Sequence, residues 1–134
     1  MDELININEK DLKKFIFEDM NTYCKVYNIY DGDTICIIFK YKDEYIKYSC
    51  RINGIDTPEI KSKNDNIKKL AYNARDFLRD KILNKIIKID ILSFDKYGRL
   101  LINAYTLNNE SISDLMIKNG YAKSYDGGTK DKWE

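Results

Sequence analysis

Ile46-Lys47-Tyr48-Ser49-Cys50-Arg51-Ile52, continuing into Asn53-Gly54-Ile55-Asp56-Thr57-Pro58-Glu59, is the stretch from which the rest of the chain can be read. Its first half alternates. Ile46, Tyr48, Cys50 and Ile52 share one face of an extended strand, and Lys47, Ser49 and Arg51 share the other. Arg51 therefore points away from the apolar face and is available for chemistry. The second half is a stiff acidic loop. Pro58 drives Thr57 into an extended conformation, which fixes the two carboxylates of Asp56 and Glu59 at low entropic cost.

Working outward toward the start, two further strands precede this one. Cys24 and Val26 alternate with polar neighbours up to Ile29, and Ile35 to Phe39 is an apolar run. Tyr30-Asp31-Gly32-Asp33-Thr34 makes a tight turn between them, and Lys42-Asp43 makes the next. Before them, an amphipathic segment is capped by Asn8 and carries an apolar stripe of Leu12, Phe15, Ile16 and Met20. It is expected to pack on the main body, with a contact to a partner protein as the alternative.

Toward the end, a polar loop leads into a helix over about Ile67 to Leu83, striped by Ile67, Leu70, Ala71, Ala74, Phe77, Leu78 and Ile82. A strand over Ile86 to Leu92 turns at Gly98 and returns as Leu100 to Thr106. A last helix spans Ser111 to Asn119, with Gly120 at its C-terminal cap. The tail from Tyr121 is polar and contains Gly127-Gly128. Five strands with a helix between the third and fourth predict a β-barrel with helices, an α+β domain of the five-stranded oligonucleotide-binding type. A C-terminal helix and an additional N-terminal helix complete it. A small α+β sheet domain is the alternative. The domains are expected at 1–21, a helical extension, and 22–134, the barrel domain.

The 134 residues are 43% hydrophobic and 34% charged, a globular balance with a formal net charge of only +1. Bulk charge thus points to no particular partner. No run is long and apolar enough for a membrane span, and the acidic start is no export signal, so an intracellular monomer is expected. The three cysteines, Cys24, Cys36 and Cys50, lack ligand spacing and are expected as free thiols. The absence of histidine excludes serine–histidine triads and imidazole-dependent zinc sites. Hydrolysis here must run on carboxylates, arginines, lysines, tyrosines or a metal.

Asp31, Asp33, Asp56 and Glu59 all sit in turns or strand ends. A turn aspartate often does no more than bond its own backbone, and that reading stands for Asp31. Asp33, beside a second acid at a glycine, needs a cation or donors nearby. Asp33, Asp56 and a backbone carbonyl would form an oxygen-only site suited to Ca²⁺ or Mg²⁺. Arg51 and Arg99 can each grip a phosphate bidentately, or pair with the nearby acids instead. Tyr97 and Tyr125 can stack on a nucleotide, and Lys96 can reach a phosphate.

Three ordered stretches carry a resemblance: Asp31-Gly32-Asp33-Thr34, Arg51 to Glu59, and Asp95-Lys96-Tyr97-Gly98-Arg99. In order and spacing they resemble the staphylococcal nuclease family, also called thermonucleases, over about residues 24 to 125. The resemblance implies Ca²⁺-dependent cleavage of DNA and RNA that leaves 3′-phosphate ends. It implies Asp33, Asp56 and the Thr57 carbonyl as metal ligands, and Glu59 as the acid that directs water. Arg51 and Arg99 would be the phosphate and transition-state arginines, and Asp31 an acid behind the metal ligands. Lys96, Tyr97 and Tyr125 would touch substrate, with Tyr125 offset by one residue. The N-terminal segment and the tail from Asp126 to Lys130 depart from secreted members. Two other readings stay open: a non-catalytic nucleic-acid or protein-binding module, and a phosphodiesterase acting on small nucleotides.

Overall fold

The computed structural model describes residues 2–12, 17, 20–130, 132 and 133. Helix α1 covers Asp2–Ile5, and a single 3₁₀ turn follows at Glu9–Asp11. Strands β1 (Met20–Ile29), β2 (Thr34–Tyr41) and β3 (Glu44–Ile52) come next, then a two-residue strand β4 (Ile55–Asp56). Helix α2 spans Asp65–Ile82, followed by β5 (Ile86–Phe94), β6 (Leu100–Tyr105), helix α3 (Ile112–Lys118) and a short β7 (Lys123–Ser124).

Five strands close into a barrel in the order β1-β2-β3-β6-β5. All neighbours are antiparallel except β3 and β6, which pair in parallel through Cys50–Leu100, Arg51–Leu101 and Ile52–Ile102. A parallel pair needs a long crossover, and α2 with β5 supplies it. The expected barrel, with its helix after the third long strand, is what the chain forms.

Alternation sets the interior. Ile35, Ile37 and Phe39 of β2 face inward, as do Ile87, Ile89 and Ile91 of β5 and Leu100, Ile102 and Ala104 of β6. The run read as continuously apolar in β2 thus resolves into inward and outward residues. In β1 the inward residues are Cys24, Val26 and Ile29. That odd step is taken up by a bulge between Val26 and Asn28. All three cysteines are free, and burial pushes the Cys24 thiol up to about 12, which keeps it protonated and inert.

Helix α2 is capped by Asn64, whose side chain accepts from Asn66 N and Ile67 N. It buries Ala71, Ala74, Leu78 and Ile82, whereas Leu70 of the expected stripe faces solvent. Arg79 Nη2 donates to the Ile29 carbonyl at 3.0 Å, fastening the helix to the end of β1.

The N-terminal segment differs from its expected form. Asn8 does cap, but only the 3₁₀ turn, because Leu12 is already extended (φ −103°, ψ 144°) and exposed. Met20 opens β1 rather than closing a helical stripe. Phe15 and Ile16 lie outside the described residues. The anchor is Phe17, buried edge-on against Tyr41 at 4.9 Å and Phe39 at 5.7 Å. β4 and β7 pair as a separate two-stranded ladder. Two residues are too short to show alternation, so this ladder has no signature in the sequence.

Candidate active site

Three connections meet at one end of the barrel: the β1–β2 turn, the loop leaving β3, and the β5–β6 turn. They border a cleft of about 470 Å³ lined by Asp31, Asp33, Thr34, Arg51, Asp56, Thr57, Glu59, Tyr97 and Arg99, among others. The three motifs, far apart in sequence, thus share one cavity.

The β1–β2 turn is built for close approach. A Cβ on Gly32 would lie 2.9 Å from Thr57 Cγ2 and 3.1 Å from the Ala74 Cβ of α2. Only glycine lets the turn lie against both the acidic loop and the helix. Tyr30 N donates to the Thr34 carbonyl at 3.0 Å, and Ile52 N to the Asp33 carbonyl at 2.8 Å. The first bond closes the turn around Asp33, and the second ties Asp33 itself to β3.

Its carboxylate is the centre of a chain of polar contacts. Arg51 Nη1 meets Asp33 Oδ2 at 3.0 Å, and both side chains are largely buried. Asp33 Oδ1 accepts from the Thr34 hydroxyl at 3.2 Å, and Thr34 Oγ1 accepts from Arg99 Nη1 at 3.2 Å. One aspartate and one threonine link the two arginines. Arg51 is further aimed by Nη2 donating to the Ile55 carbonyl at 2.9 Å.

Arg99 is held by Asp95. Its Nε donates to Asp95 Oδ2 at 2.7 Å, while Asp95 Oδ1 accepts from Tyr97 N and Arg99 N. Burial acts to raise the Asp95 carboxyl. The two backbone donors and the Arg99 guanidinium outweigh it and hold the group below its ordinary value. Gly98 (φ +82°) provides the bend. Both Nε and Nη1 of Arg99 are thus engaged, and the residue lines the cleft.

Asp31 receives Asp33 N at 3.1 Å. Burial pushes its carboxyl up to about 7, and the neighbouring charge of Asp33 adds to the rise. Negative charge is crowded here. Asp56 is 5% exposed, and Glu59 lies exposed at the rim. Among the described residues the buried Thr57 hydroxyl has no hydrogen-bond partner.

The structure does not bring every expected residue into the cleft. Tyr97 lines it, with Arg99 5.6 Å from its ring. Lys96 lies over the Tyr97 ring at 5.1 Å and outside the cleft lining. Tyr125 sits under Arg51 at 5.8 Å, but it borders a neighbouring depression, and its hydroxyl donates to the Gly128 carbonyl.

Four residues were not anticipated. Thr34 and Asp95 were legible in principle, as a hydroxyl next to an acid in a turn and an acid four residues before an arginine. Lys130 and Trp133, which reach Asp56, were not, because the polar tail has no periodicity. Among the described residues no three acidic or thiol side chains converge closely enough to hold a metal by themselves.

The family profile described as "Staphylococcal nuclease homologue" matches residues 49–133. An uncharacterized protein of Methanocaldococcus jannaschii is 28% identical, covering 83% of this chain and 63% of its own length. The thermonuclease of Staphylococcus hyicus is 29% identical, over 75% of this chain and 57% of its own. A probable staphylococcal-like nuclease of Oryza sativa subsp. japonica is 36% identical, over 60% of this chain and 20% of its own. The chain spans less than two thirds of the length of each. The match runs from β3 through the last described residue and takes in the acidic loop, both arginines and the helix that backs them, so the chain belongs to the family of staphylococcal nuclease homologues.

Proposed function

We propose that the protein is a Ca²⁺-dependent endonuclease that hydrolyses phosphodiester bonds of DNA and RNA and leaves 3′-phosphate ends. The observation that carries this reading is the polar chain joining Arg51, Asp33, Thr34 and Arg99 across one cleft. It holds two guanidinium groups on a surface otherwise rich in carboxylates. The nuclease names of the relatives support it. In this reading the working unit is 22–134, and 1–21 is an extension in which Phe17 packs on the barrel.

The donor set fits a hard divalent cation. Asp33 and Asp56 offer buried carboxylate oxygens, the Thr57 carbonyl is the natural third donor, and no soft ligand lines the cleft. With two carboxylates, the rest of the shell would be water and substrate phosphate. Bound there, the cation would supply charge for the phosphoryl oxygens. Burial raises Asp31 first and the charge of Asp33 adds to it; that second part is what such a charge would relieve.

The chain's own residues do the rest. Glu59 faces the cleft and accepts a hydrogen bond from a water, aims it in line, and takes its proton as the P–O bond forms. The bond to the 5′-oxygen breaks, and that oxygen is protonated from solvent. Arg51 and Arg99, preset by Asp33, Asp95 and Thr34, bind the non-bridging oxygens as their charge grows. Tyr97, exposed at the rim, stacks on the adjacent base.

General-base assistance is worth ~10²–10⁴-fold. Glu59→Gln should therefore lower kcat on denatured DNA by roughly that factor, with a much smaller change in KM. The assay compares single- and double-stranded DNA and RNA in Ca²⁺, Mg²⁺ and chelator, with end-group analysis of the products. Equal turnover in Glu59→Gln, or cleavage that persists in chelator, overturns the assignment.

A further inference from the structure

Asp56 is already occupied by the chain's own tail. Lys130 Nζ lies 3.3 Å from Asp56 Oδ1, and Trp133 Nε1 donates to Asp56 Oδ2 at 3.1 Å. Both oxygens of a carboxylate that is 5% exposed are thus engaged by two side chains from one segment. Lys130 also lines the main cleft, and Trp133 borders an adjoining groove with Thr57, Glu59 and Ile67.

The segment is built to lie there. Tyr125 N donates to the Gly54 carbonyl, and β7 pairs with β4, so the tail starts beside Asp56. The Tyr125 hydroxyl donates to the Gly128 carbonyl, and Gly128 N donates to Asp126 Oδ1, which reverses the chain. Gly127 (φ +95°) permits that reversal. Lys130 then lies 5.5 Å from the Tyr125 ring. Lys123 donates to the Lys132 carbonyl at 2.6 Å and sits 4.6 Å from the Trp133 ring. A turn and two cation–ring contacts deliver one ammonium and one indole N–H to the same carboxylate.

We propose that the tail residues Asp126–Lys130, with Lys132 and Trp133, act as a strap that caps Asp56 and competes with the divalent cation for it. The proposal rests on the reading of Asp56 as a cation ligand. The ammonium of Lys130 puts a positive charge on Oδ1, and it cannot share that oxygen with Ca²⁺ because like charges at contact repel. Cation binding and strap seating therefore exclude one another. Every occupied strap lowers the apparent affinity for the cation by the fraction of open protein. The protein holds its own low-grade competitor for the site.

Trp133 is the single tryptophan of the chain, so it reports on the strap directly. Titration of the full chain with CaCl₂ should shift its emission to the red and raise its quenching by acrylamide. In calorimetry, Lys130→Gln should tighten Ca²⁺ binding roughly two- to fivefold, the range of a partly exposed ion pair. Trp133→Phe should tighten it as well, because it removes the second donor to Asp56 seen among the described residues. Ca²⁺ binding that depends on Asp56 (lost in Asp56→Asn) but leaves Trp133 emission, quenching and the Lys130→Gln affinity unchanged overturns the strap alone. Ca²⁺ binding that is unaltered in Asp56→Asn overturns the ligand assignment beneath it.

Discussion

Asp31 shows how far a single side chain can be read. Its position in a glycine turn allowed a backbone role, and Asp33 N does bond to it. What the sequence could not show was its burial beside a second acid, which lifts its carboxyl from an ordinary 3.8 to about 7. A raised acid pKa means that ionisation is harder in the folded chain than in the unfolded one. In chelator, stability should therefore fall as pH rises from about 4 to about 7. Asp31→Asn keeps the acceptor oxygen and removes the charge. It should raise Tm at pH 8 by a few degrees and flatten that slope, as thermal melts from pH 4 to 8 will show. A variant that melts lower than the parent at pH 8 would contradict this. The parity of Arg51, by contrast, was fully legible: an alternating strand fixes the face of each side chain before any contact is known. The tail residues Lys130 and Trp133 lay beyond such reasoning, since nothing local in a polar segment says where it will dock.

The two hairpins show what an element can hide. Between β2 and β3 the residues Lys42 (φ 48°) and Asp43 (φ 67°) both take left-handed backbone, the requirement of a type I′ turn. The sequence placed the turn correctly, yet the pair is not the usual one: Lys42 is a poor left-handed residue, and Asp43 stands where glycine is preferred. Replacing the pair with Asn-Gly should stabilise the protein by about 0.5–1 kcal/mol, measured by urea titration with an unchanged m value. The β5–β6 turn is the opposite case. Gly98 marked it, but its rigidity comes from Asp95. The depressed Asp95 carboxyl contributes stability above its ordinary pKa, and that contribution is lost as pH falls through the lowered value. Asp95→Asn should cost about 1–2 kcal/mol at pH 7, with the gap to the parent closing in acid. It should also slow cleavage, because Arg99 loses its main fixed partner. The parent and variant denaturant midpoints at pH 7 and pH 3 give the first, and kcat on denatured DNA gives the second.

At the scale of the whole molecule, the barrel was readable because each long strand keeps a period of two, and α2 because its apolar stripe keeps a period near four. The segment before β1 was expected as an amphipathic helix; its described part holds the short α1 and one 3₁₀ turn, and it anchors through the ring of Phe17. Phe17 is 4% exposed among Phe39, Tyr41, Tyr48 and Phe94. Phe17→Ala should cost roughly 3–5 kcal/mol, visible as a lowered denaturant midpoint. A loss below 1 kcal/mol would show that the segment merely rests on the barrel. No helix among the described residues is long and apolar enough to cross a membrane. The parallel seam between β3 and β6 has a consequence in time. Only three residue pairs make it, and Arg51 lies in one of them while Arg99 directly precedes another. The join spans the whole of α2 and β5 along the chain, and pairing so distant in sequence carries a high loop-closure cost. Barrel closure and pairing of the arginines are then one event. Until that join forms, Arg51 and Arg99 stand on separate strands, and the cleft between them is incomplete.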